Sequence, residues 1–335
     1  MTVSRSSHRS LGAIAFIAIA PTQYCWANDT TAALTTGGLV FASDPDIEMR
    51  SEDLHISQRE VAVRYRFFNR AAADRDVTLA FPMPEIDNQE ADNIDLPDVD
   101  ADNFLKFRTT VEGAPVVARI EQKAMLAGQD VTARLKNLRL PLLPSAKKTV
   151  AALDALPPAE RTKLLDEKLV RADDYDVGKG MEHHLAPEWR LRTTYFWQQN
   201  FPANREITIE HRYVPSVGGT VQTALDRPST LSAEEKTFYA KYCPDKAFLS
   251  AVATLTRKLK TPPPEIRIAY VLGTGANWAG PIRDFRLTLD KGDPQALISV
   301  CGSGIVKTGP TTFEMHKVDF RPQGDLDVLI IPPPR

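Results

Sequence analysis

Basic residues do not outnumber acidic ones. Lys and Arg total 41 against 43 Asp and Glu, a net charge of −2 over 335 residues. Without a basic excess the chain lacks the electrostatic footprint of a nucleic-acid binder. Long apolar runs are also missing. The one such segment, LGAIAFIAIA from Leu11 to Ala20, falls short of the roughly 20 residues that cross a bilayer, so no integral membrane span is expected in the mature chain. Cysteine is scarce, at three residues: Cys25, Cys243 and Cys301. Glycine, at 17, is outnumbered by proline, at 25, which favours many short strands broken by proline-marked connections. Otherwise 43% hydrophobic and 25% charged residues are ordinary for a globular protein of one large or two smaller domains.

The short apolar run is a targeting signal. Arg5, His8 and Arg9 precede it, and PTQYCWA follows, ending on the small residue Ala27 before Asn28. A basic segment, an apolar core and a small-residue exit describe a cleavable signal peptide over residues 1–27. The rival is a lipid anchor on Cys25, but Thr22, Gln23 and Tyr24 are not the small residues such a site prefers. Cleavage leaves two cysteines in an exported chain. An even pair in that compartment favours a Cys243–Cys301 disulfide, with two separate buried thiols as the rival. Localisation is therefore expected to be periplasmic or secreted.

The mature chain reads as α+β and mainly β, with antiparallel sandwich-like parts and inserted helical segments. Residues 28–125 form a β-rich N-terminal part. Val61, Val63, Tyr65 and Phe67 alternate with polar neighbours, and Val77, Leu79 and Phe81 resume after a turn at Asn69–Asp76, which reads as an antiparallel meander. Residues 126–185 are a helical insertion, with Asp130, Ser145 and Pro157-Pro158 as helix starts. Residues 186–335 hold a hairpin, further helices beginning at Ser232 and Asp245, and a C-terminal β-rich part. The hairpin spans Glu188 to Gly219. Trp189, Leu191, Thr193, Tyr195 and Trp197 form the apolar face of one strand, Ile207, Ile209, His211 and Tyr213 that of the other, and Pro202 and Asn204 mark the turn. Its other face, with Arg190, Arg192, Arg212, Glu206 and Glu210, reads as cross-strand ion pairs or a docking surface.

NDTTAALTTGGLVF, IEMRSEDLHIS, VRYRFFNR, LAFPMPEI, YFWQQNFP, EHRYVPSVGG and GANWAGPIRDFRLTLDKG through ISVCG resemble, in that order, the bacterial family catalogued as domain of unknown function 4424. The resemblance covers nearly the whole mature chain. It implies export and a β-rich fold, and the family has no established activity to carry over.

Chemistry-bearing motifs are thin. GTGANWAG, Gly273 to Gly280, joins two strands and fits neither dinucleotide nor Walker spacing. Its Trp278 is the first candidate for partner binding, with a plug at the end of the sandwich as the rival. Asp98, Asp100, Asp102 and Asn103 begin like a calcium loop, but Asn103 stands where Gly is expected and Thr109 where a bidentate Glu belongs. His183-His184 lacks a paired ligand motif, His211 reads as a core histidine, and Ser303 in CGSG lacks the nucleophile-elbow frame. Nothing requires a cofactor or a metal. The expected function is a non-catalytic binding or interaction module meeting an unknown protein or envelope component. The alternative is an extracytoplasmic hydrolase whose catalytic groups meet only in the fold.

The exported protein should begin at or within a few residues of Asn28. Intact mass of the periplasmic material checks this, and an acylated Cys25 retained in the product would contradict it.

Overall fold

A computed structural model of the chain describes residues 30–35, 38–87, 94–176, 178–273 and 277–334. The leader expected over residues 1–27, with Cys25, lies outside these. Among the described residues are 20 strands and five α-helices, more strands than periodicity reveals because pieces of two to four residues carry too little pattern to read. The α+β, mainly β class holds.

Two sheets carry the core. The eight-stranded sheet runs, in spatial order, Val306–Lys307, Thr312–Phe320, Ile282–Asp290, Ile47–Ser57, Val61–Asn69, Glu206–Tyr213, Arg108–Val111 and Ala114–Val116. The six-stranded sheet runs Gly38–Ala42, Thr30–Thr35, Arg75–Pro82, Arg190–Phe201, Arg119–Leu126 and Gln129–Asp130. Their inner faces meet in one buried cluster that takes Tyr65, Phe67 and Ile209 from the first sheet and Phe81, Tyr195 and Trp197 from the second. A four-stranded sheet of Val217–Thr220, Glu265–Tyr270, Leu326–Ile331 and Leu297–Val300 adds Ile268 and Tyr270 to the same cluster. The Ile282–Asp290 strand pairs in parallel with Ile47–Ser57, so the N- and C-terminal β-rich parts share a sheet.

The expected hairpin is not one. Arg190–Phe201 pairs with Arg75–Pro82 and Arg119–Leu126, while Glu206–Tyr213 pairs with Val61–Asn69 and Arg108–Val111. The chain crosses from one sheet to the other at Pro202–Arg205. The two strands therefore meet side chain to side chain, with Trp197 and His211 rings 5.4 Å apart. The Asn69–Asp76 turn makes the same crossing in the opposite direction, so the meander is also an arch. Alternation specifies which side chains are buried but not whether two neighbouring strands hydrogen-bond or stack. Asn204, with φ 52°, suits the crossing as it would a hairpin.

Asn69 joins the two arches. It is fully buried. Its Nδ2 donates to the carbonyls of Ala73 (2.9 Å) and Phe201 (2.8 Å), its Oδ1 accepts from the Ala71 N–H at 2.9 Å, and its own N–H donates to Arg205 O. Asp74 completes the junction by accepting from the Ala203 N–H at 2.8 Å.

The helices are α1 (Thr132–Asn137), α2 (Lys147–Asp154), α3 (Pro158–Asp166), α4 (Ala233–Ala240) and α5 (Lys246–Leu259). The first three gather a second small core of Leu135, Leu153 and Leu164 around Trp189. Pro158 begins α3 as expected, Ser232 and Glu235 form a capping box on α4, and Asp245 caps α5. Ser145 does not cap α2, whose N-cap is Ala146. Cys243 and Cys301 are bonded, Cα atoms 5.0 Å apart, and tie the end of α4 to the edge strand Leu297–Val300. Closing a loop of this 58-residue separation is worth about 4 kcal/mol on the chain-entropy account. Nearby, buried Glu265 accepts from the Thr223 and Tyr239 hydroxyls at 2.6 and 3.0 Å, a second fastening of α4 onto the sheet. Gly219 can pair closely with the Glu265–Tyr270 strand because it has no Cβ, which would collide with the Glu265 carbonyl.

Asn69→Ala should destabilise the protein by about 1–3 kcal/mol, since it strands the buried Phe201 carbonyl and removes the links between the arches. Trp197→Ala should cost about 3–5 kcal/mol as a large buried aromatic, and Arg64→Ala on the outer face no more than about 0.5 kcal/mol. Denaturant midpoints of the three variants check this order. A neutral Asn69→Ala would remove the arch junction from the account.

Candidate functional site

The candidate chemistry read from the sequence does not assemble. Trp278 is 4% exposed, its ring 4.7 Å from Phe67. It packs at the end of the sandwich, where the N–H groups of Asp44 and Ala279 donate to Asn277 O and Ile47 O. Residues 274–276 of that connection lie outside the described residues. The charged residues expected on one hairpin face are divided between opposite outer faces of the sandwich. Arg192 donates to Glu85 at 2.7 and 3.0 Å and Arg190 faces Asp87 on one side. On the other, Arg212 pairs with Glu60, Arg64 with Glu210 and Arg66 with Glu206. His211 is buried among Tyr65, Phe81, Phe107 and Trp197. Ser303 is exposed and accepts from the Lys317 ammonium.

His183 and His184 lie on the second strand of a ribbon the sequence did not reveal, Val170–Asp176 paired with Met181–Pro187. Polar residues predominate on both of its faces, so alternation is invisible there. The two rings point opposite ways. His183 Nδ1 meets Asp174 at 3.0 Å. His184 Nδ1 meets Asp154 of α2 at 2.6 Å, and its Nε2 meets Glu182 at 3.1 Å. The hydrogen bond to Asp154, then the one to Glu182, hold the His184 imidazole above its ordinary pKa. Its two carboxylates orient His184 as a clasp between ribbon and helix. Among the described residues no group of three His, Cys, Asp or Glu side chains can hold a metal ion.

A cleft lies instead where the acidic loop, the Arg119–Leu126 strand and the α1–α2 connection meet. It is a half-open groove of about 390 Å³, within the volume range of small-molecule sites. Phe104, Ile120, Leu140, Leu142 and Leu143 line its apolar part, while Asp100, Asp102, Lys136 and Lys148 supply the charge. Its walls are fixed. The Trp189 indole N–H donates to Leu142 O at 2.8 Å and the Thr149 hydroxyl to Leu143 O at 2.6 Å. Asn103 clamps Phe107 through both its N–H and its carbonyl and accepts from the Tyr195 hydroxyl. Gln122 donates to Asp102 O. The loop considered for calcium is thus held by Asn103 at the position where glycine was expected, and Asp98 turns inward to accept from the N–H groups of Asp100 and Ala101. Lys148 reaches Asp100 across the cleft at 3.3 Å.

Sequence reasoning missed this cleft. The one available signal was LPLLP, Leu140 to Pro144, an apolar run in a connection where two prolines forbid a regular helix.

The sequence profile of the domain of unknown function DUF4424 matches residues 27–329. The chain belongs to this family. Comparison with curated proteins found no match. Among solved structures, a presumed nutrient binding protein from Legionella pneumophila aligns at 16% identity and a TM-score of 0.45, over 91% of this chain and 70% of that one. A likeness of that degree carries no argument about function. Among the described residues no helix of this DUF4424 member is long and apolar enough to cross a membrane.

Because the folded-state pKa of His184 is raised, its contribution to stability is fully present below the unfolded value, about 6.5, and is lost as pH rises through the folded value. Melting temperatures of wild type and His184→Gln should differ most in acid and converge at alkaline pH. A gap independent of pH would contradict the clasp.

Proposed function

We propose that this DUF4424 protein is a non-catalytic binding module of the periplasm or secreted fraction, taking its ligand in the cleft beneath the acidic loop. The observation that carries this reading is the composition of the cleft. Half-buried Ile120, Pro141 and Leu142 beside the charged Asp100, Asp102, Lys136 and Lys148 can orient a ligand, and the lining holds no His, Ser or Cys to act as a nucleophile. The Cys243–Cys301 bond supports an oxidising compartment, where such bonds persist, in keeping with the leader read over residues 1–27. The hydrolase alternative would need a nucleophile beside the His184–Asp154 pair, and His184 hydrogen-bonds only carboxylates among the described residues.

Thermal shifts against a panel of amino acids, short peptides, sugars and fatty acids test the proposal. At least one class should raise the melting temperature of the wild type. Val99→Trp, which fills the mouth of the cleft from a residue 41% exposed, should abolish the effect while leaving the unliganded melt in place. No shift from any class, or a shift that survives Val99→Trp, would contradict the cleft as the site.

A further inference from the structure

The charges around the cleft are of two kinds. Asp100 and Lys148 neutralise each other across it, 82% and 45% exposed. Asp102 and Lys136 line the same cleft, and among the described residues neither side chain has an ion-pair partner. They come from opposite walls. Asp102 stands on the loop, its backbone fixed through Gln122. Lys136 stands on α1, where Arg134 rather than Lys136 satisfies Glu160 and Glu167. The half-buried Ile120, Pro141 and Leu142 line the same cleft.

One free carboxylate and one free ammonium in a cleft with half-buried apolar residues are complementary to a molecule with the reverse charges and an apolar part. Resting on the cleft as the binding site, we infer that its ligand is a zwitterion with an apolar body, of the size of an apolar dipeptide. Its ammonium meets Asp102, its carboxylate meets Lys136, and its aliphatic side chains lie on the half-buried Ile120, Pro141 and Leu142. The volume of about 390 Å³ suits a ligand of two residues. The exposed Asp100–Lys148 pair contributes little to stability in solvent and can open to admit the ligand without unfolding the loop. A sugar would leave both free charges without a counter-charge, and a fatty acid would leave Asp102 so.

Calorimetric titration of the mature protein with four peptides tests this: leucyl-leucine, its N-acetyl form, its carboxamide, and the doubly blocked form. The free dipeptide should bind tightest, and blocking either end should weaken binding about tenfold, the scale of a hydrogen bond to a charged group. Lys136→Gln should erase the difference between acid and amide. Asp102→Asn should erase the difference between free and acetylated amine. Both residues are exposed, so neither variant should lower the melting temperature. Equal binding of all four peptides, or variants that weaken all four alike, would overturn the zwitterion while leaving the cleft as a site for an uncharged ligand. No heat from any of the four would also overturn it, with the cleft judged separately by the wider panel. Dipeptide binding that persists in Val99→Trp would remove the cleft itself.

Discussion

The buried side chain of Asn69 connects two crossings of the chain between sheets, and the sandwich depends on that junction. A strand that leaves one sheet and enters the facing one carries its backbone through the end of the core, where peptide groups have no ladder partner. Asn69 supplies a double donor and an acceptor at that point, to Ala73, Phe201 and Ala71. Of these the Phe201 carbonyl is buried and would otherwise be a polar atom without a partner, at a cost of about 1–3 kcal/mol. With both crossings held side by side, the aromatic faces of Arg190–Phe201 and Glu206–Tyr213 are directed at each other, and Trp197, His211, Phe81 and Phe107 close into one core. Charged residues are left on two outer faces, where cross-strand partners absorb them.

The cleft follows from this frame. Tyr195, directed inward by the arch, presents its hydroxyl to Asn103 and so holds the acidic loop. Trp189, the residue directly before the same strand, lies in the helical core and donates to Leu142. One strand thereby positions both walls, the loop through Tyr195 and the α1–α2 connection through Trp189. A rigid sheet supporting a loop and a proline-broken connection is a sound place for binding, because the supporting strand does not move when the loop does.

Alternation in the sequence identified nearly every inward-facing residue, from Val61 through Phe67 and from Leu191 through Tyr213, because burial of one face is a local property of a strand. Pairing is not local. Whether FPAN turns a hairpin or an arch depends on which strands compete for each ladder edge, and a parallel partner 230 or so residues away leaves no mark near Ile47. Caps were readable at Ser232 and Asp245, where the side chain alone decides. They were unreadable at Ser145, whose hydroxyl the fold leaves buried. The Cys243–Cys301 bond was accessible through arithmetic and compartment. Trp278 was not, since an aromatic on a Gly-rich connection can face either way, and here Phe67 receives it. The cleft was hidden most completely, because its charged groups come from Asp102 and Lys136 on separate elements, and neither spacing nor periodicity relates them.

The central claim is that a binding site lies in the cleft and neither on the charged sheet faces nor on the ribbon. Amide hydrogen exchange of the protein, with and without a saturating ligand drawn from whichever class stabilises it, tests that claim most directly. The account predicts slowed exchange across residues 98–107, 119–122 and 136–149, with residues 170–187 and the strands Ile47–Ser57 and Val61–Asn69 unchanged. Protection on the ribbon or on the outer face of the eight-stranded sheet, with the cleft segments exchanging as before, would contradict it.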